Sequence, residues 1–138
     1  MNQKICSVVL FIKDNQLLLL RDATRPERFK PAGGKVELGE SFLQAAVREV
    51  KEELGIVLAP ADLQAIHLAD FFWQDIHHVT TIFLVKQWTG EPINIEPHEH
   101  SELVWVPLTD LPAAMLSPLR EAITKGLAGK FYSEWRDS

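Results

Sequence analysis

Several features on which large classes of protein depend are scarce in this chain or missing from it. Its 138 residues include one cysteine, so an internal disulfide framework cannot form. No apolar run reaches the roughly 18 residues that a membrane-spanning helix needs. Lysine and arginine number 14 against 19 acidic residues, a formal net charge of −5, and no basic patch stands out that would neutralise the phosphates of a nucleic acid. These absences disfavour a disulfide scaffold, a membrane protein and a nucleic-acid-binding protein.

The rest of the composition is that of one domain with a single core. At 46% hydrophobic residues, a chain of this length has no room for a second domain of ordinary size, so we predict one domain over residues 1–138. The N-terminus carries no signal-peptide pattern, and we expect a cytoplasmic protein, monomer or homodimer, that binds a small molecule. Cys6, among apolar neighbours, is interpreted as a small buried hydrophobe without a redox role.

Strand and turn signals dominate the chain outside one long helical segment. We predict strands over residues 4–12, 16–21, 63–73, 77–88 and 103–106, with a closing helix that begins at Ser117. The turn chemistry of Asp14 and Asn15 predicts that the first two strands form a hairpin. This mixed order predicts an α+β fold.

The long helix is delimited by signals at both ends. Ser41 with Gln44 three residues later is a capping-box pattern, and Gly55 follows the last periodic residue. Apolar residues recur along one stripe that we expect to pack against the sheet: Leu43, Val47, Val50 and Leu54.

Three glutamates lie beside that stripe. Glu49, Glu52 and Glu53 fall within roughly 100° of arc at 3.6 residues per turn, and Arg48 is spaced to pair with Glu52. Adjacent glutamates on a helix usually form a solvated face, but carboxylates about 5 Å apart near a partly buried surface repel by roughly 3 kcal/mol. Arg48 would neutralise one acid, and a divalent cation would compensate the others. Oxygen ligands favour Mg²⁺ or Mn²⁺ over Zn²⁺.

Residues 34–56, GKVELGESFLQAAVREVKEELGI, carry a specific resemblance. The segment resembles the Nudix hydrolase signature Gx5Ex7REUxEExGU, in which U is a bulky aliphatic residue. All specified positions are met: Gly34, Glu40, Arg48, Glu49, Val50, Glu52, Glu53, Gly55 and Ile56. The resemblance implies that family's α-β-α sandwich, with a mixed β-sheet and a catalytic loop-helix-loop.

The resemblance also implies a site. Glu49, Glu52 and Glu53 would ligate Mg²⁺, for which Mn²⁺ is a possible substitute, and the carbonyl of Gly33 would add a ligand. Lys35 and Arg48 would orient the carboxylates, with Lys35 also facing the substrate. Glu40 would support the loop or a further metal, and a structural role as a hydrogen-bond acceptor is an equal alternative.

The family's general reaction is cleavage of a nucleoside diphosphate linked to another group by attack of water. The residues implied in catalysis are Glu52, Glu53, Arg48 and one loop acid. Residues 90–96 resemble the MutT-type loop whose glutamate reaches the metal, which favours Glu96 as the base. Glu99 and Glu102 are alternatives, and all three acids could instead face solvent. His98 and His100 offer too few converging partners for a zinc site, so we predict no metal role for them.

The flanking segments favour a nucleoside triphosphate as substrate. Residues 90–92, 105–107 and 110–112 resemble MutT-like nucleoside triphosphate diphosphatases, whereas the base-reading Asn or Asp residues of the 8-oxoguanine enzymes are replaced by Ala-Ala-Met-Leu-Ser at 113–117. The aromatic candidates for stacking on a base are Phe29, Phe71, Trp73 and Trp88, although core packing is the commoner role. The alternatives are a hydrolase of another nucleotide derivative, such as a nucleotide sugar, and a non-catalytic nucleotide sensor.

Overall fold

The computed structural model describes residues 1–137. The strands are β1 Asn2–Leu10, β2 Ile12–Lys13, β3 Gln16–Asp22, β4 Phe29–Lys30, β5 Ala32–Lys35, β6 Leu63–Trp73, β7 Ile76–Val85, β8 His100–Pro107 and β9 Tyr132–Arg136. The helices are α1 Phe42–Leu54 and α2 Ser117–Leu127, and short 3-10 turns occur at Pro60–Asp62 and Leu108–Asp110. No helix within this part of the chain is both long and apolar enough to cross a membrane.

Two sheets organise the fold. The larger has the order β5-β1-β7-β6-β9 and is mixed, because β1 runs parallel to β7 and β6 parallel to β9, while the other pairs are antiparallel. The smaller is antiparallel and is built on β3, which pairs with β2, β4 and β8. The α+β prediction is confirmed.

The two helices cover opposite faces of the larger sheet. Val9 of β1 lies in the hydrophobic cluster that contains α1, whereas its neighbour Leu10 lies in the cluster that contains α2. Successive strand residues point to opposite faces, so the sheet separates the helices. This arrangement is the predicted α-β-α sandwich.

Strand β3 contributes to both clusters. Leu18 and Leu20 pack in the α1 cluster, and Leu17 and Leu19 pack in the α2 cluster. A continuous apolar run is the pattern of a strand buried on both faces.

The first predicted hairpin is correct only at its tip. Ile12 pairs with Leu17 around a two-residue turn, in which Asp14 and Asn15 adopt φ of 53° and 61°. Strand β1 then leaves this partner and pairs with β5 and β7 instead. The chain changes sheet next to Phe11, whose side chain is fully buried, so burial on both sides of the bend outweighs continuation of the hairpin.

Other strand boundaries also differ from the sequence prediction. Strand β7 ends at Val85, and Trp88 beyond it packs edge-on against Phe11, with ring centroids 5.0 Å apart. Strand β9 was not predicted, because its residues are mostly polar and exposed and give no apolar run. It joins the sheet through backbone pairing with β6.

Helix α1 begins and ends where the sequence predicts. The Ser41–Gln44 capping box is present, and Gly55 ends the helix with φ of 71°. The buried face differs from the predicted stripe, however. Its members are Ala45, Ala46, Val50, Glu53 and Leu54, whereas Leu43 and Val47 are only partly buried. A glutamate therefore lies on the core side of the helix.

Candidate active site

Arg48 is at the centre of the acidic cluster on α1. Its Nε and Nη2 donate to the two carboxylate oxygens of Glu40 at 2.8 and 3.0 Å. Its Nη1 donates to Glu49 at 2.9 Å and to Glu52 at 3.3 Å, which confirms the predicted pairing with Glu52. Nη2 also donates to the backbone carbonyl of Lys35 at 3.0 Å. One guanidinium thus ties the preceding loop to three acids.

Glu40 is held as a structural acceptor. Besides the bidentate contact with Arg48, its Oε1 accepts the backbone N–H of Glu37 at 3.0 Å. Hydrogen bonds from Arg48 lower the pKa of the Glu40 carboxyl to about 2. With both oxygens so engaged, the structural role is the one that these contacts support.

The glycine pair before the helix provides room for this arrangement. A Cβ on Gly34 would lie 2.6 Å from the carboxylate carbon of Glu49, and one on Gly33 would lie 2.1 Å from the carbonyl oxygen of Ser7 in β1. Gly33 has φ of +135°, which side chains rarely allow. The backbone of β5 therefore packs directly against β1 and against a predicted metal ligand.

Glu53 is the buried acid of the cluster, with 3% of its surface exposed. Its Oε1 accepts the backbone N–H of Gly33 at 2.8 Å. Its Oε2 faces Lys30 Nζ at 3.8 Å and His100 Nε2 at 3.7 Å. Burial raises the pKa of Glu53 to about 7, although the Gly33 N–H opposes the shift. The same cause raises the pKa of Glu49.

The segment after β7 runs along the end of α1. The backbone N–H groups of Ile93 and Ile95 donate to the carbonyls of Leu54 and Glu53 at 3.0 and 3.2 Å. These are carbonyls that a helix end leaves without intrahelical partners. Glu96 follows directly, so satisfying the helix end places this acid beside Glu53.

A tight turn after Glu96 adds a histidine to the same place. The carbonyl of Glu96 accepts the N–H groups of Glu99 and His100, both at 2.9 Å. Ligand atoms of Glu53, Glu96 and His100 all lie within 4.8 Å of one another. Of the alternative loop acids, Glu99 is exposed and Glu102 forms an ion pair with Arg21 at 3.1 Å. The geometry thus favours Glu96 among the three.

A cavity of about 460 Å³ adjoins the cluster, within the size range of small-molecule sites. Residues from β1, β4, β6, β7 and α2 line it, among them Phe29, Phe71, Trp73, His78 and Ala114. Lys30 lines the cavity and also approaches Glu53, so the cavity and the acids are neighbours. Cys6, predicted to be buried, is only half-buried and lines the wall.

Three of the four predicted substrate-binding residues line the cavity, and the fourth does not. Phe71 is buried and stacks on His78 at 4.6 Å between ring centroids, while Phe29 and Trp73 are half-buried in the wall. Lys35 is exposed and does not line this cavity. Its described contact with Arg48 uses the backbone carbonyl.

Sequence reasoning missed Lys30, which carries no motif and whose position depends on the pairing of β4 with β3. His100 was dismissed as a ligand because the sequence could not show that the loop folds back onto Glu53. An available signal was its place four residues after Glu96, a spacing that a single turn brings together.

The pKa of Glu40 leads to a test of the Arg48 contacts. A carboxyl with a lowered pKa stabilises the fold above its unfolded value near 4.5, and the contribution is lost as the pH falls toward about 2. We expect Glu40→Gln to be less stable than wild type at pH 6, with the difference shrinking below pH 4.5. Urea unfolding from pH 6 to pH 3 measures this. A difference that stays constant over the range contradicts the assignment.

Glu53 predicts the opposite trend in metal-free protein. Because its pKa is raised to about 7, Glu53 favours the fold below pH 4.5, and this contribution is lost as the pH rises through 7. Glu53→Gln should therefore gain stability relative to wild type between pH 5 and pH 8, on the order of 1–3 kcal/mol. Denaturant unfolding in EDTA is the measurement. If the stability difference between Glu53→Gln and wild type is the same at pH 5 and at pH 8, the prediction is wrong.

Comparison with known proteins identifies the family. The NUDIX domain family matches residues 1–127. The chain is 34% identical over 107 residues to the 8-oxo-dGTP diphosphatase of Escherichia coli, covering 74% of this chain and 81% of that protein. It is 35% identical over 107 residues to the CTP pyrophosphohydrolase of the same organism, covering 74% and 76%.

Solved structures show the same fold. A MutT NUDIX hydrolase from Burkholderia pseudomallei superposes with a TM-score of 0.78 at 29% identity, covering 90% of this chain and 98% of that chain. The solution structure of the E. coli ORF135 protein gives a TM-score of 0.77 at 24% identity, covering 93% and 91%. With the acidic helix, its glycine loop and the matched family in agreement, the chain belongs to the Nudix hydrolases, in their MutT-like group.

Proposed function

We propose that this protein hydrolyses nucleoside triphosphates to the monophosphate and pyrophosphate, with Mg²⁺ as the activating ion. The proposal rests on the position of Lys30, which lies between a cavity and the acidic cluster. An aromatic-walled cavity able to take a base lies on one side, and the buried carboxylate of Glu53 lies on the other. A nucleotide placed across this junction would have its phosphates at the acids.

The residues of the cluster suit a divalent cation. Carboxylate groups converge at Glu53 and Glu96, and the cradle under Glu49 admits no side chain on Gly34. Glu49, Glu52, Glu53 and the Gly33 carbonyl would hold the ion, with Glu96 joining from the loop. When bound, it neutralises phosphate charge and makes water more acidic.

The chain's own groups divide the remaining work. Arg48 fixes the carboxylates of Glu49 and Glu52 in place and is a positioning residue. Lys30, half-exposed between the cavity and Glu53, would pair with a phosphate oxygen. Glu96 would accept the proton of the attacking water. The water oxygen bonds to the α or the β phosphorus, and the bond from that phosphorus to the oxygen that bridges the two breaks. The departing half keeps the bridging oxygen, so the products are the monophosphate and pyrophosphate.

The cavity supports a base without selecting one. Phe29 and Trp73 offer ring faces for stacking, while Ala114 contributes no hydrogen-bonding side chain. Relatives that act on 8-oxo-dGTP and on CTP are matched at nearly equal identity. A purine or pyrimidine triphosphate, canonical or modified, therefore belongs to the first screen.

Glu52→Gln tests the reaction. The Glu52 side chain is 49% exposed, so the substitution should leave the fold intact while kcat falls by a factor on the order of 10² or more. Steady-state hydrolysis of a nucleotide panel with Mg²⁺ and Mn²⁺ is the measurement. Glu121→Gln, an exposed glutamate of α2, is the matched control. Full activity in Glu52→Gln would sink the proposed site.

Product analysis separates the alternatives. Pyrophosphate plus monophosphate supports the triphosphate reaction, a sugar phosphate supports a nucleotide-sugar hydrolase, and binding without turnover supports a sensor. Hydrolysis in ¹⁸O-labelled water then shows which phosphorus is attacked, because only that product carries the label.

The single cysteine reports whether the cavity holds the nucleoside. Because Cys6 lines the wall, a non-hydrolysable α,β-methylene triphosphate should slow alkylation of its thiol several-fold. Pyrophosphate, which lacks a nucleoside, should not. The rate is followed by mass spectrometry at pH 8.5, since burial raises the pKa of this thiol. An unchanged rate with analogue shown by calorimetry to be bound would place the nucleoside elsewhere.

A further inference from the structure

His100 is a buried imidazole without a hydrogen-bond partner. It is 5% exposed. Its buried Nδ1 forms no hydrogen bond with any residue between 1 and 137, and its Nε2 lies 3.7 Å from Glu53 Oε2, beyond hydrogen-bond distance. A buried polar atom left unpaired destabilises the fold. The mechanism proposed above gives this side chain no role, so its position calls for an explanation.

The contacts of Glu53 point to what His100 faces. Oε1 accepts the Gly33 N–H, and Oε2 lies 3.8 Å from Lys30 Nζ and 3.7 Å from His100 Nε2. Both distances exceed a hydrogen bond, which spans about 2.7–3.2 Å. Two donors bonded to one ion at about 2.1–2.2 Å lie roughly 3–4.4 Å apart. The distance from Oε2 to Nε2 is therefore too long for a hydrogen bond but falls in the range expected of two ligands on one ion.

The backbone of His100 is held by hydrogen bonds and by strand pairing. The carbonyl of His100 accepts the side-chain amide of Asn94 at 2.7 Å, and its N–H donates to Glu96. His100 also begins β8, where it pairs with Asp22 of β3. Lys30, in contrast, is half-exposed at the tip of a long side chain and can withdraw. The histidine is thus the preorganised neighbour of Glu53 and Glu96.

We propose that His100 Nε2 is a direct ligand of the activating metal, completing a mixed nitrogen and oxygen site with Glu53 and Glu96. This deepens the proposed function, on which it rests, by adding a nitrogen ligand to the oxygen donors expected from the sequence. An imidazole suits transition metals, whereas Mg²⁺ prefers oxygen ligands. The site should therefore bind Mn²⁺ in preference to Mg²⁺.

Pulsed EPR on the full chain loaded with Mn²⁺ tests the coordination directly. Electron spin echo envelope modulation detects ¹⁴N coupling from an imidazole bonded to the ion. Wild type should show this coupling and His100→Asn should lose it. His98→Ala, an exposed histidine of the same loop, should retain it.

Each other outcome overturns the assignment. No imidazole coupling in wild type with Mn²⁺ bound, coupling that persists in His100→Asn, or coupling lost in His98→Ala would each remove His100 from the metal. If His100→Asn fails to fold, as judged by circular dichroism, the wild-type spectrum and His98→Ala still decide. If His100 proves not to be a metal ligand, the proposed hydrolysis of nucleotides with Mg²⁺ is unaffected. The two proposals can therefore fail separately.

Metal affinity gives a second readout. Free Mn²⁺ is titrated by its EPR signal with Mg²⁺ as competitor. Wild type should bind Mn²⁺ more tightly than it binds Mg²⁺, by about tenfold or more. Even residues that only support ligands change metal affinity by about 10–100-fold, so His100→Asn should weaken Mn²⁺ binding by at least about tenfold. Mg²⁺ affinity should change less than threefold. Equal losses for both ions would contradict selectivity through nitrogen.

Discussion

The site depends on one guanidinium that is shared among several carboxylates. Arg48 donates hydrogen bonds to Glu40, Glu49 and Glu52 and also to the backbone carbonyl of Lys35 at the end of β5. Without that charge, the acids would repel one another on a half-buried surface, where the local dielectric strengthens repulsion. The fixed planar donors of arginine also set directions that lysine cannot. Placement of the glycine loop and orientation of the outer acids thus have a common cause.

A second constraint comes from the end of helix α1. Its last carbonyls need partners, and the backbone of residues 93–95 supplies them. This same pairing brings Glu96 and His100 to Glu53. Gly55 permits it, because a Cβ there would meet the Ile95 side chain at 3.2 Å in addition to the strain of a positive φ. The end of helix α1 is therefore a structural boundary. It also brings together Glu53, Glu96 and His100, which form the inner half of the site.

The sequence predicted what local chemistry determines. The capping box, Gly55 and the signature glutamates are short-range signals, and α1 begins and ends where they place it. The strand pair around Gln74 and Asp75 was also predictable. Long-range pairing was not: β1 leaves its hairpin for β5 and β7, and β9 joins through backbone bonds that its polar side chains do not announce. The position of His100 beside Glu53 could not be predicted for the same reason, since Glu53 lies in a helix nearly fifty residues earlier.

The outer half of the site consists of Glu40, Glu49 and Glu52 around Arg48, and its charge balance differs from that of the inner half. This difference shows where a cation is needed. In the outer half, Glu40 has its charge matched by Arg48, and hydrogen bonds hold the pKa of that carboxyl near 2. In the inner half, Glu53 is buried without such a partner, and its pKa rises to about 7. A buried carboxylate that is costly to ionise gains most from a cation placed beside it. Since a ligand that binds only the folded state stabilises that state, filling the inner half would convert the least favourable charge in the fold into a source of stability.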